Sequence, residues 1–115
     1  MMIRTLAAAL LTLALPAPAL AFPCSFPTEC YEAEACGDAG FAIDVNLAEK
    51  RVSTEFGDLT ILTVTRTDSL ITLFASGSGA AYLMSTTRDT ARLSTHSNDG
   101  PQVITYLGHC NGAFE

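Results

Sequence analysis

From residue 41 to residue 107 apolar and polar side chains tend to alternate, and this alternation limits the fold more than any other feature of the chain. Phe41, Ile43, Val45 and Leu47 are separated by Ala42, Asp44 and Asn46. A period of two puts one face of an extended strand against a core and the other in water. Turn residues interrupt the pattern at Glu49-Lys50, Gly57-Asp58, Thr67-Asp68-Ser69, Ser76-Gly77-Ser78-Gly79, Arg88-Asp89 and Ser97-Asn98-Asp99-Gly100-Pro101. The segments between them predict short strands near Val52 and over 59–65, 70–75, 81–86, 91–95 and 103–107. Short strands with turns at regular intervals predict an all-β fold, a small antiparallel barrel or sandwich. The phase slips between Ile61 and Leu62, which predicts a bulge or burial on both faces. Phe41, Ile43, Val45, Leu62, Val64, Leu73, Leu93, Val103 and Leu107 are the expected inward residues. Only residues 28–35 could hold a short helix, and the 22–35 segment, with Pro23 and Pro27, reads as an arm ahead of a domain spanning 36–115.

Upstream of the strands the chain changes character. Arg4 supplies one positive charge, Leu6 to Leu15 is apolar, and Ala19-Leu20-Ala21 has the A-x-A form. These three parts predict a secretory signal peptide over residues 1–21. The apolar run is shorter than the ~20 residues a bilayer span needs. Pro23 directly before Cys24 argues against a lipoprotein anchor. Cleavage after Ala21 leaves 115 − 21 = 94 residues with a charge of 5 − 12 = −7. Nothing in that remainder is long and apolar enough to cross a membrane. The expected location is therefore periplasmic or secreted. Such an acidic chain lacks the clustered Lys and Arg that replace phosphate counterions, which argues against a nucleic-acid partner. Its size suits one core and one site, with no room for a cofactor domain.

An exported chain meets an oxidising compartment, so Cys24, Cys30, Cys36 and Cys110 are expected to pair. Three connectivities are open, and sequence alone does not choose among them. Loop size favours Cys24–Cys30 around Pro27 and Cys36–Cys110 around the strands; the latter would add about 4 kcal/mol at most in a chain-entropy model. The rival use of these residues, a metal site with His109 beside Cys110, lacks a C-x-x-C spacing.

Residues 76–82 read Ser76-Gly77-Ser78-Gly79-Ala80-Ala81-Tyr82. This stretch resembles the S-x-S-G-A-x-Y loop of the bacterial inhibitors of C-type lysozyme, membrane-bound and periplasmic. Cys36-Gly37-Asp38 before the Phe41 strand and Cys110-Asn111-Gly112 at the end resemble that family's cysteine frame. The resemblance spans roughly residues 36–110 and implies a disulfide-stapled antiparallel β-barrel of about seven or eight strands. It implies a C-type lysozyme as partner and Ser78 as the group inserted between the enzyme's two carboxylates, with Gly79 and Tyr82 shaping the loop and Ser76 offering a second hydroxyl. Arg88 is the nearest stand-in for the lysine of the family's second hairpin. Gly77 and Gly79 would let the backbone approach a partner closely. The acidic charge would aid encounter with a basic enzyme.

Two further function classes follow from the same residues. Ser-Gly-Ser-Gly between strands is also ordinary turn chemistry, so a periplasmic β-barrel interaction or structural module with another partner is the alternative. An enzyme is the third class. The chain holds His96 and His109 but no G-x-S-x-G elbow, so no catalytic residue and no cofactor are expected.

Overall fold

The structure, a computed structural model, describes residues 20–115. Apart from Leu20 and Ala21, the expected signal peptide lies outside the described residues. Eight strands run β1 (Ala21–Tyr31), β2 (Gly37–Asn46), β3 (Arg51–Thr54), β4 (Gly57–Arg66), β5 (Ile71–Gly77), β6 (Ala80–Thr86), β7 (Ala91–Ser97) and β8 (Val103–Cys110). Each strand pairs antiparallel with the next, and β8 returns to pair with β1, so the sheet closes into an up-and-down barrel. Closure removes the free edges that an open sheet of short strands would expose. The expected strands are all present, and the phase slip at Ile61 is a bulge between Ile61 and Thr63.

The arm expected over 22–35 is instead mostly a barrel stave. Residues 21–31 form β1, and the rest is the turn into β2, with no helix. Phe22, Cys24 and Phe26 alternate inward with Pro23, Ser25 and Pro27 outside. Pro27 costs little because it sits in the register break between Phe26 and Thr28, where the ladder is already interrupted, and Pro23 lies just before Cys24, where the pairing with β8 begins.

This placement overturns the expected disulfide pairing. The bonds are Cys24–Cys110 and Cys30–Cys36. Six residues of extended strand span about 20 Å, far beyond the ~7 Å that a disulfide tolerates between Cα atoms, so Cys24 and Cys30 on one strand cannot meet. Cys24 lies directly opposite Cys110 across β1 and β8 and locks the seam where the barrel closes. Cys30 and Cys36 clasp the turn that joins β1 to β2.

The core holds Phe41, Ile43, Val45, Leu73 and Leu93 as expected, joined by Phe22, Phe26, Val52, Leu59, Ile61, Ile71 and Met84. Four expected core residues lie elsewhere. Leu62 is 64% exposed because the bulge swings it outward. Val64 is 38% exposed; β3 pairs only with residues 57–60 of β4, so Val64 has a neighbouring strand on one side alone. Val103 and Leu107 pair with the outward-facing His96 and Arg92, whereas Ile104, Tyr106 and Gly108 face in. A one-residue difference in phase turns a whole strand over, and here Cys110 sets the phase by facing Cys24.

Candidate functional site

Because the strands run alternately up and down, the turns divide between two ends of the barrel. The turns 32–36, 55–56, 78–79 and 98–102 share one end, called here the Ser78 end. The turns 47–50, 67–70 and 87–90 share the other with the C-terminal residues 111–115, called the tail end.

Gly77 pairs with Ala80, leaving Ser78 and Gly79 as a two-residue hairpin turn. Their φ values are 50° and 78°, both positive as a type I′ turn requires. Ser78 carries a Cβ in this left-handed region, at a cost of about 1–2 kcal/mol. Its hydroxyl donates to the Phe56 carbonyl at 3.3 Å, tying the turn to its neighbour between β3 and β4. That neighbour is itself held by Thr54, whose hydroxyl donates to the Gly57 carbonyl and accepts from the Phe56 N–H.

The two glycines of the loop have different surroundings. A Cβ on Gly77 would lie 3.0 Å from the Asp58 carbonyl oxygen and 3.1 Å from Leu59, so the close approach there is to the protein's own β4. A Cβ on Gly79 would meet nothing within 4 Å, so this face is open to a partner. Ser76 is half-buried and pairs with Thr60 and Ala81. Tyr82 points inward and is 8% exposed.

Arg88 is not part of this group. It lies in the β6–β7 turn at the tail end, a full strand away from Ser78. Its guanidinium sits 5.1 Å from the Phe114 ring centroid and donates to the Asp68 carbonyl. Arg66 approaches the same ring at 6.0 Å and donates to the Ala113 carbonyl. The turns 67–70 and 87–90 are near copies of each other. In each, the leading threonine N–H donates to the carbonyl three residues on, and its hydroxyl oxygen accepts the N–H groups two and three residues on. The stretch that suggested a second contact hairpin is thus a turn that seats the C-terminal tail.

The Ser78 end also gathers an aromatic cluster that the sequence did not reveal as one. Phe56, 69% exposed, stacks on Phe41 at 6.2 Å. Phe41 stacks on Tyr106 at 4.7 Å, and Tyr106 meets Phe26 edge-on at 6.2 Å. Residues 41, 56 and 106 belong to three separate hairpins, so only the barrel register brings them together. Burial pushes the Tyr82 phenol above its ordinary pKa. The Tyr106 phenol is pushed up first by burial, then by Glu29, Tyr82 and Glu55.

Charge is divided between the ends. Glu29, Glu32, Glu34 and Asp38 flank the β1–β2 turn, Glu55 and Asp58 flank the β3–β4 turn, and Asp99 lies in the β7–β8 turn. No Lys or Arg among the described residues lies at this end. Lys50, Arg51, Arg66, Arg88 and Arg92 all sit towards the tail end, with Asp44, Glu49, Asp68, Asp89 and Glu115. The formal charge is therefore −7 at the Ser78 end and 5 − 5 = 0 at the tail end.

The barrel interior encloses a small apolar cavity. The cavity between Ile43, Val52, Leu73, Tyr82 and Met84 measures about 10 Å³, about the least that holds one water, so the fold offers no room there for a small-molecule ligand. Among the described residues no three His, Cys, Asp or Glu groups converge as a metal site, and all four cysteines are in disulfides. His96 and His109 are both exposed.

In comparisons with known proteins, no family model, no curated protein and no solved structure matches this chain.

Proposed function

We propose that the protein is an exported, non-enzymatic binding protein of the periplasmic or secreted space that acts in the manner of C-type lysozyme inhibitors, presenting the 76–82 loop to the enzyme's cleft. The observation that carries this reading is the Ser78-Gly79 turn. It is exposed and preorganised by positive φ at both positions and by the Ser78–Phe56 hydrogen bond. A rigid loop binds without an ordering cost. The Ser78 hydroxyl can exchange its single bond to Phe56 for one to a catalytic carboxylate. In this reading Arg88 takes no part in the contact.

The test is inhibition of a C-type lysozyme by the oxidised mature protein. Inhibition at micromolar excess, weakened by Ser78→Gly, supports the reading. Glycine preserves the left-handed turn, so that variant removes the hydroxyl alone. Undiminished lysozyme activity in the presence of the parent protein refutes it.

A second reading rests on a different surface. Phe74 and Leu83 are paired across β5 and β6 on the outer wall and are 47% and 36% exposed, with Leu62 close by on β4. An apolar strip of this kind marks contact surfaces and favours an interaction module whose partner lies along the barrel side. Loss of a captured envelope partner on Phe74→Ser, with no effect of Ser78→Gly, would select this alternative.

A further inference from the structure

We propose that the Ser78 end is a docking surface for a cationic protein, in which an arginine or lysine side chain of the partner lies against the Phe56–Phe41–Tyr106 stack between Glu29 and Glu55. The proposal deepens the reading above, because it rests on the same end meeting the partner. It needs neither a lysozyme nor an inserted Ser78.

Three observations converge on it. The first is the stack itself. Phe56 keeps most of its surface in water although it is anchored from beneath by Phe41, so it offers an open ring face at a fixed place. Such a face attracts a cation, and guanidinium groups in particular stack on it.

The second is a pair of phenols that have no hydrogen-bond partner among the described residues. Tyr82 is nine-tenths buried, yet its hydroxyl has no hydrogen-bond partner among the described residues, and Tyr106 has none either. No buried side-chain nitrogen or oxygen among the described residues is left without a partner, so both hydroxyls must reach solvent. Tyr82 starts two residues inside the Ser78 turn, and Tyr106 is the cross-strand partner of Glu29. Beyond its burial, the Tyr106 phenol feels Glu29, Tyr82 and Glu55, which puts the two phenols together on the side of this mouth. Their oxygens can accept from an N–H donor, as the carboxylates beside them can.

The third is charge. A formal −7 at one end against zero at the other makes the barrel an electrostatic pointer that presents this end to a positive surface. Some of that charge is structurally engaged, since the Glu32 carboxylate accepts the Val103 N–H. Glu29 and Glu55 remain free of ion pairs among the described residues. The open Phe56 ring face between two carboxylates directs the inference to an arginine or lysine side chain presented by a protein.

The experiment is calorimetric titration of the full mature protein with a short oligo-arginine peptide at low salt, repeated with the double variant Glu29→Gln, Glu55→Gln, with Phe56→Ala, and with the tail-end control Asp68→Asn, Asp89→Asn. The expected result is saturable binding weakened about tenfold by the double variant and by Phe56→Ala, with the control unchanged. Bound peptide should also alter tyrosine fluorescence, because the chain lacks tryptophan and its three tyrosines (Tyr31, Tyr82, Tyr106) are all on the barrel half nearer this end. Equal binding by parent and double variant overturns the proposal, as does an equal loss in the tail-end control. Displacement of the peptide by calcium at matched ionic strength overturns it in favour of a metal site. If the peptide binds as stated while lysozyme is untouched, the lysozyme reading fails and this one stands. If the peptide binds parent and double variant equally while lysozyme is still inhibited, this proposal fails and the lysozyme reading stands.

Discussion

Ser78 and Arg88 stand at opposite ends of β6, one in the turn that enters the strand and the other in the turn that leaves it. Seven residues of strand separate those turns by about 20 Å, so the two side chains do not share one end of the barrel. The Arg88 guanidinium is occupied by the Phe114 ring and the Asp68 carbonyl. Arg88→Ala should therefore leave partner binding unchanged while loosening the tail. An exposed cation–π contact is worth about 0.5–1 kcal/mol, and denaturant unfolding should show a loss of that size. A binding defect in Arg88→Ala with unaltered stability would contradict this assignment.

Replacing the two disulfides separately should give unequal losses. Cys24–Cys110 joins residues 86 apart in sequence, and Cys30–Cys36 joins residues six apart. In the chain-entropy model the first stabilises by about 4–5 kcal/mol and the second by about 2 kcal/mol. Cys24→Ala, Cys110→Ala should leave a marginal or unfolded domain, and Cys30→Ala, Cys36→Ala a folded one with a lowered unfolding midpoint. A peptide map of the non-reduced protein checks the pairing directly. A fragment joining Cys36 to Cys110 would be incompatible with the β1–β8 seam.

What the sequence makes legible here is what is written in local pattern. The β4 bulge shows in the Ile61-Leu62 phase slip, and the Ser78 turn in its Ser-Gly-Ser-Gly. The β1 strand is masked in the sequence because Pro23 and Pro27 imitate the punctuation of a loop. The disulfide pairing is masked with it, because loop size favours Cys24–Cys30 only while the two cysteines are not held on one extended strand. The inward phase of β8 is likewise a tertiary property. Val103 and Leu107 are as apolar as Ile104 and Tyr106, and only the seam decides which pair faces in. The aromatic stack at 41, 56 and 106 and the division of charge between the ends depend on which turns share an end, which no local window contains.

Gly108 offers a sharp test of the seam. A Cβ at this position would lie 1.9 Å from the Ser25 carbonyl oxygen and 2.8 Å from the Phe26 Cα. The β1 register shift between Ser25 and Thr28 folds the chain directly over Gly108, and the atoms in the way are backbone with no rotamer to yield. Gly108→Ala should cost about 3 kcal/mol through overpacking or prevent folding. Gly37→Ala, where a Cβ meets nothing within 4 Å, serves as the control and should shift stability by no more than about 0.5 kcal/mol. Thermal unfolding of the two variants in parallel decides the matter, and near-native stability in Gly108→Ala would mean that β1 and β8 do not pack this closely.

Alkaline pH should destabilise the fold through its phenols. Burial, and then Glu29, Tyr82 and Glu55, push the Tyr106 pKa above its ordinary value, and burial does the same to Tyr82. The unfolded chain ionises these groups near the ordinary value of about 10, whereas the folded chain holds their protons to higher pH. Between those limits the unfolded state binds fewer protons than the native state, so stability falls as pH rises. The contribution is complete below the unfolded pKa and is lost as pH passes the folded one. Tyr106→Phe removes one of the two titrations without stranding a hydrogen-bond partner, because the Tyr106 hydroxyl has none among the described residues. Its stability should run parallel to that of the parent at neutral pH and decline less steeply above pH ~10. Urea unfolding at a series of pH values measures the two slopes. Equal slopes would place the alkaline sensitivity in groups other than Tyr106 and remove the electrostatic link between this phenol and the Glu29–Glu55 rim.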